Sequence, residues 1–423
     1  MENRYDKYKD SGIAWIGEIP EHWKVKRLKN ICSQTNIKEN SKGNPLPYIG
    51  LENIESGSGK YIDTTSEVDG IANRFCKNNV LFGKLRPYLS KVYIAESDGI
   101  CSTEFIVYDT KENDCHFIHK LLLSQSFIDV VNSSTYGAKM PRANSEFINN
   151  IYTQIPPIQE QQHISTYLDQ KCSEIDELIT LQEEMITKLQ SYKQSVITEA
   201  VTKGLNKNVP LKDSGIEWIG EIPEHWICTV FKKFLSEPMQ YGANEPAEEC
   251  NYNDPRYIRI TDIKDDGTLR DDTFKSLPLE KAKEYMLTKG DLLFARSGAT
   301  VGKTFLYKED YAACFAGYLI KARCNKNELL PNFIFYYTLS NAYQNWKNSI
   351  FIQSTIQNIG ADKYSVMPII APPLSEQQSI ANYLDQKCSE IDELISIKQQ
   401  KIEKLKDYKK SLIFECVTGK RKV

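Results

Sequence analysis

Apolar residues return every seven positions along two stretches of the chain. Leu168, Ile175, Leu189 and Val196 share one frame, with Leu178, Met185 and Tyr192 three places on and Cys172, Ile179 and Ile186 four places on. Leu384, Ile391, Leu405 and Leu412 repeat that frame further along. Alternating steps of three and four make the stripe of a helix that packs lengthwise on another helix. The third place of each frame is polar, Gln182 and Lys398, and a polar seam residue can fix register. Pro156-Pro157 and Pro372-Pro373 stop what precedes them, and each pair is followed by an acid suited to a helix first turn, Glu160 and Glu376. From Ile158 to Ala200 such a helix spans roughly 65 Å at ~1.5 Å per residue, too long to lie on one small domain. The pattern therefore predicts two long helices with Leu168, Ile175, Leu189, Leu384, Ile391 and Leu405 in the seam; as tandem copies they are expected to pair antiparallel with each other, the alternative being that each dimerises between chains.

The rest of the chain is also written twice. Residues 10–23 read Asp-Ser-Gly-Ile-Ala-Trp-Ile-Gly-Glu-Ile-Pro-Glu-His-Trp and recur at 213–226 with one change, Ala14 to Glu217. Residues 167–179, Tyr-Leu-Asp-Gln-Lys-Cys-Ser-Glu-Ile-Asp-Glu-Leu-Ile, recur unchanged at 383–395. The first block is displaced by 203 residues (10 to 213) and the second by 216 (167 to 383). The segment between the blocks is thus longer in the second half, and it has diverged: Tyr48-Ile49-Gly50-Leu51-Glu52-Asn53-Ile54 is echoed only loosely by Tyr257-Ile258-Arg259-Ile260-Thr261-Asp262-Ile263. Near-identical parts must satisfy the same partner or each other, and divergent parts must meet different things. Short Ile, Val, Phe and Tyr runs broken by Gly, Pro and Asn, with helical stretches such as Asn332–Asn348, mark each divergent segment as α+β. The expected division is 1–157 (arm and first domain), 158–204 (long helix), 205–372 (arm and second domain) and 373–423 (long helix).

Composition narrows the classes. A chain of 423 residues with 26% charged and 11% aromatic residues has material for several cores and is not a disordered protein. No apolar run approaches a membrane span, and the polar start, Met1-Glu2-Asn3-Arg4, does not resemble a secretion signal, so a cytoplasmic protein without membrane contact is expected. Eleven cysteines without a C-x-x-C pair suggest free thiols rather than zinc ligands. The net charge of −3 excludes a globally basic surface, so any nucleic-acid contact must be local.

Such local surfaces exist. Gly70–Ala95 contains no acid but carries Lys84, Arg86 and Lys91 around Gly83, Pro87 and Tyr88, and the acid-free Val130–Ser145 carries Lys139 and Arg142. In the second half Leu292–Lys308 offers Arg296, Ser297, Thr300 and Lys303, and Leu329–Ala361 offers Lys347, Gln353, Gln357 and Asn358. Cations supply affinity for phosphates, and Arg, Asn and Gln can pair with base edges. The candidate DNA-binding residues are Lys84, Arg86, Lys91, Lys139, Arg142, Arg296, Ser297, Thr300, Lys303, Gln353 and Gln357.

Catalytic and metal candidates are absent. Gly298-Ala-Thr-Val-Gly302-Lys303-Thr304 has three residues between its glycines where a phosphate-binding loop needs four. Cys115-His116-Phe-Ile-His119 has no counterpart in the second half and reads as structural or merely exposed. No cofactor fingerprint or nuclease carboxylate cluster is evident.

The paired Asp-Ser-Gly-Ile-x-Trp-Ile-Gly-Glu-Ile-Pro-Glu-His-Trp blocks, the Pro-Pro-x-x-Glu-Gln helix starts and the Leu-Phe-Ala-Arg-Ser-Gly-Ala-Thr-Val-Gly-Lys loop at 293–303 resemble the specificity subunit of type I restriction-modification systems over the whole chain. The resemblance implies two tandem target-recognition domains, related by a pseudo-twofold axis and separated by antiparallel coiled-coil helices, each domain reading half of a split double-stranded DNA sequence. It implies two modification (methyltransferase) subunits and restriction (translocase/nuclease) subunits as partners. It implies no catalysis and no cofactor on this chain: S-adenosylmethionine belongs to the modification subunit, and ATP and Mg to the restriction subunit. A methyltransferase-only system, or a coiled-coil adaptor that binds proteins rather than DNA, are the alternatives.

Overall fold

The computed structural model describes residues 4–64, 69–137, 139–247, 250–264, 267–298, 300–352 and 358–423. The chain divides into two units, Met1–Glu183 with Gln399–Val423, and Glu184–Lys398. The long helices run Ile158–Lys203 and Leu374–Val417, and each contributes one stretch to each unit.

In the first unit a hairpin pairs Tyr8–Asp10 with Glu18–Pro20. An antiparallel sheet follows, in the order Ser33–Thr35, Phe105–Asp109, Val80–Gly83, Val92–Ile94. A second sheet is ordered Lys38–Asn40, Ile71–Phe75, Gly99–Ser102, Tyr48–Ile49, its last pair parallel. Helices Cys115–Leu123 and Gln125–Ser133 cover the first sheet, and their inward residues Phe117, Leu121, Phe127 and Val131 join the core. Ile164, Leu168, Cys172 and Ile175 of the first long helix bury in that core with Leu412, Ile413, Cys416 and Val417 of the second. The pairing is antiparallel: Tyr5 bonds Glu160 at the start of the first helix while Tyr8 donates to the Gly419 carbonyl just past the end of the second. Further along, Lys409 Nζ meets Asp176 Oδ1 at 2.7 Å.

The second unit has the same plan. Leu211–Asp213 pairs with Glu221–Pro223, and a sheet is ordered Gln240–Tyr241, Leu319–Ala322, Leu292–Ala295, Thr304–Leu306. Arg256–Ile258 lies parallel to Ala313–Phe315. Ile197, Ala200 and Val201 share a core with Ile380, Leu384 and Cys388. Lys193 bonds Asp392 at 2.7 Å, which is the counterpart of the Lys409–Asp176 pair at the 216-residue offset.

Three details differ from the sequence pattern. The helical stretch Asn332–Asn348 is two helices, Pro331–Leu339 and Asn341–Ile352, because Ser340 turns its hydroxyl onto the Tyr337 carbonyl and ends the first. The seam is narrower than the stripe: Leu168, Ile175, Leu384 and Ile391 are buried, Leu189 and Leu405 only half-buried, and Leu178 and Leu394 are exposed at 44% and 47%. Of the two polar seam residues Gln182 is buried and Lys398 only partly so.

Candidate nucleic-acid interface

Most of the sequence candidates in each unit, Lys84, Arg86 and Lys91 in the first and Arg296, Ser297, Thr300 and Lys303 in the second, fall at the tip of one hairpin. Val80–Gly83 and Val92–Ile94 flank Lys84–Lys91, and Leu292–Ala295 and Thr304–Leu306 flank Arg296–Lys303. In the first unit Lys84 N–H donates to the Glu104 carbonyl at 2.9 Å, and its own carbonyl accepts from Ala143 N–H at 2.9 Å. In the second, Arg296 N–H donates to the Tyr318 carbonyl at 3.0 Å, and its carbonyl accepts from Ile359 N–H at 2.8 Å. The same pair of bonds thus clamps each tip between two other loops. Lys139 and Arg142 lie on the clamping loop of the first unit. Gln353 and Gln357 lie outside the described residues, and their neighbour Asn358 bridges Ser297.

The loops share a backbone course but not residues. Gly298 and Gly302 take φ of +81° and +82°, where a side chain is disfavoured. Their counterparts Arg86 and Ser90 both adopt φ of +50°. A non-glycine residue there costs roughly 1–2 kcal/mol, and strain of this kind collects at functional sites. Arg86 is half-buried and its N–H donates to the Pro141 carbonyl at 2.7 Å, so the strained turn is tied to the clamping loop. Tyr88, Tyr136 and Met140 stand exposed on the same two loops, at 54%, 63% and 58%.

The structure sorts the remaining candidates. Arg142, which the sequence placed on an acid-free surface, makes a two-pronged bond to Glu104, 2.7 and 3.0 Å, so an acid from a third segment reaches that surface. Lys91 Nζ donates to the Leu51 carbonyl at 2.6 Å and Lys303 Nζ to the Ile263 carbonyl at 3.2 Å, which makes these matched lysines braces of the hairpin. Arg296 lies over the Tyr241 ring, 4.8 Å from its centroid, and Tyr241 in turn accepts from Ala361 N–H. Lys84 is half-buried, and Lys139 and Thr300 are exposed. Among the described residues, the cation candidates held by neither an acid nor a backbone carbonyl through their side chains are Lys84, Arg86, Lys139 and Arg296.

The near-identical blocks have a different use. Trp23 and Trp226 are fully buried, and their indole N–H groups donate to Glu160 Oε1 at 3.1 Å and Glu376 Oε2 at 3.0 Å. His22 and His225 reach the other carboxylate oxygen of the same acid, at 2.8 and 2.7 Å. The adjacent Gln161 bonds the Pro156 carbonyl and Asp114 N–H, as Gln377 bonds the Pro372 carbonyl and Leu330 N–H. Pro-Glu-His-Trp and Pro-Pro-x-x-Glu-Gln are therefore two halves of one bolt that fixes each domain to the start of its long helix. The blocks recur together in the same order, which was the available signal.

Within the Cys115–His119 group, His119 has a structural role. His119 is buried and donates Nε2–H to the Val92 carbonyl at 3.0 Å, and burial pushes its pKa down to about 3. No group of three or more metal-ligating side chains occurs among the described residues.

Residues 20–190 and 240–407 match the family described as the type I restriction modification DNA specificity domain. The chain belongs to that family. It carries two such domains, one for each half of its repeat. Among curated proteins it is similar to the type I restriction enzyme MjaVIII specificity subunit of Methanocaldococcus jannaschii, 25% identical over 96% of this chain and 94% of that one. The EcoDI specificity subunit of Escherichia coli is 27% identical over 44% of this chain and 43% of its own length. A solved structure described as showing complex assembly and conformational transition of the type I R-M system covers 94% of this chain and 98% of its own, with a TM-score of 0.75 at 19% identity. That likeness shows the fold.

Lys91 separates bracing from contact. Lys91→Met is expected to lower stability by about 1 kcal/mol in urea titration, while the salt dependence of DNA binding stays unchanged. A shallower salt dependence would make Lys91 a phosphate contact instead.

Proposed function

We propose that this chain is the DNA-reading subunit of a type I restriction-modification complex, in which each unit reads one half of a split double-stranded target. The observation that carries this reading is the clamped hairpin tip, built twice with the same backbone bonds and different side chains: Lys84, Arg86 and Tyr88 in one unit, Arg296, Gly298 and Thr300 in the other. A frame kept constant while its exposed residues change suits two readers of two unlike half-sites. Lys139, Arg142, Ser297, Gln353 and Gln357 complete the proposed contact set, with Arg142 aimed by Glu104.

In this reading the chain supplies no chemistry and holds no cofactor. Two modification subunits bring S-adenosylmethionine and methylate adenine, and restriction subunits bring ATP and Mg; the complex works in the cytoplasm. The exposed apolar positions of the long helices support two equal partner seats, since Leu178 and Leu181 correspond to Leu394 and Ile397 at the 216-residue offset.

The test is co-expression with the modification subunit followed by methylation mapping of a genome by long-read sequencing. One split motif with two unlike half-sites and a fixed gap is expected. An assembled complex that leaves no methylation would favour a protein-binding adaptor. Residue contributions follow from two substitutions in the assembled complex. Arg86→Gly removes a cation of the first unit without backbone strain, and Arg296→Ala removes a cation of the second unit from the Tyr241 ring. Each is expected to weaken target binding by about 1–3 kcal/mol if it reads a base, or to lower the salt slope by ~0.9 if it meets a phosphate. Unchanged affinity and slope would remove the residue from the interface.

A further inference from the structure

The second unit carries a cation where the first carries a core residue. Helices Gln125–Ser133 and Asn341–Ile352 correspond at the 216-residue offset, Ser124 matching Ser340 and Asn132-Ser133 matching Asn348-Ser349. In that register Phe127 faces the place of Tyr343, and Val131 the place of Lys347. Phe127, Val131 and Tyr343 are all fully buried. Tyr343 donates its hydroxyl to the Gly302 carbonyl at 2.7 Å, which seats this helix face against the end of the Arg296–Lys303 loop. Lys347, four residues on, shares that face. Its stem crosses the open side of Gly302, where an added β carbon would stand 2.4 Å from Lys347 Cδ.

Lys347 is half-buried, and burial pushes its pKa down. Among the described residues it has no carboxylate, carbonyl or aromatic ring as partner, whereas Arg296 stacks on Tyr241 and Lys303 bonds the Ile263 carbonyl. A partly desolvated, unpaired ammonium at a position that suits valine lowers the stability of the free protein. The cost is offset when an anion arrives at the loop, and for a duplex on this loop the anion is a backbone phosphate.

We propose that Lys347 is a DNA-phosphate contact of the second unit, its ammonium passing the bare α carbon of Gly302 to meet a phosphate of a duplex lying on the Arg296–Lys303 loop. This rests on the DNA-reading function proposed above. The first unit lacks the contact, because Val131 and Ser90 occupy the places of Lys347 and Gly302. The two half-sites are therefore held unequally: the second has an anchor set in the floor of its loop.

The experiment uses the chain assembled with its modification subunit and a duplex carrying the mapped motif. Lys347→Val, which installs the residue of the first unit, is expected to leave thermal stability equal or higher while lowering affinity and reducing the log–log salt slope by ~0.9. Lys347→Arg is expected to restore the slope. A bracing role predicts the opposite, lower stability with an unchanged slope, and that result overturns the proposal. In parallel, amine labelling of the unsubstituted complex read by mass spectrometry is expected to show Lys347 protected by the duplex; equal labelling with and without DNA also overturns it. Salt-independent or absent binding by the unsubstituted complex would instead defeat the DNA-reading function itself.

Discussion

Trp23→Ala is expected to unfold the first unit under conditions where the second stays folded, and Trp226→Ala to do the reverse. Each indole is fully buried, and each donates to the carboxylate that opens a long helix. Truncating a buried tryptophan costs roughly 3–5 kcal/mol through lost burial and an unfilled cavity. Here it also removes a donor from Glu160 or Glu376, and in the second unit it leaves Gly204 facing empty space, since a β carbon on that glycine would meet the Trp226 ring at 3.0 Å. Domains of this size are stable by about 5–15 kcal/mol, so the loss is a large fraction of the total. Glu160→Gln retains an acceptor and is expected to lose only about 1 kcal/mol. Two units make a single melting temperature a poor measure, so limited proteolysis read by mass spectrometry is the better one. Cuts confined to Lys24–Arg142 in the first variant and to Lys232–Lys363 in the second are the expected outcome. Matching digests of both variants and the parent would mean that the bolt carries little of the stability.

This bolt shows what a sequence can and cannot disclose. The repeated blocks were plain, and so was the conclusion that they satisfy either a common partner or each other. Only the fold decides between these, because His22 and Trp23 stand 138 and 137 residues from Glu160 and no periodicity links them. The long helices were legible because a stripe at steps of three and four is a local property. Its width was not: Leu178 and Leu394 keep the spacing yet stand exposed, because the domains and the partner helix cover only part of the circumference. The hairpin tips were legible as acid-free stretches, but charge read along the chain misses acids that arrive through space, as Glu104 does at Arg142. It also ranks all cations alike, although Lys91 and Lys303 point inward to carbonyls. Lys347 was visible in an acid-free run, but its correspondence to the buried Val131 gains meaning only once the helix face is known to lie on Gly302.

Exposed apolar residues on and beside the stripe lead to the second large effect. Leu178, Leu181 and Tyr408 belong to the first unit, exposed at 44%, 44% and 49%, and Leu394, Ile397 and Tyr192 to the second, at 47%, 50% and 56%. The two sets correspond residue by residue at the 216-residue offset. Large apolar side chains repeated on a solvent face lower solubility unless a partner covers them, and equal sets suit two copies of one partner. Leu178→Glu with Leu181→Glu is expected to leave folding unchanged, because exposed substitutions usually shift stability by no more than ~0.5 kcal/mol. If the complex carries two modification subunits, as proposed above, the same pair is expected to weaken one of the two proposed seats by about 2–4 kcal/mol, the range of central interface residues. Native mass spectrometry of the co-expressed complex would then show one modification subunit in place of two. Leu394→Glu with Ile397→Glu should remove the other, and all four together should leave the specificity chain alone and abolish methylation. Full stoichiometry in the fourfold variant would place the partner elsewhere on the chain and leave these positions as ordinary exposed residues of a long helix.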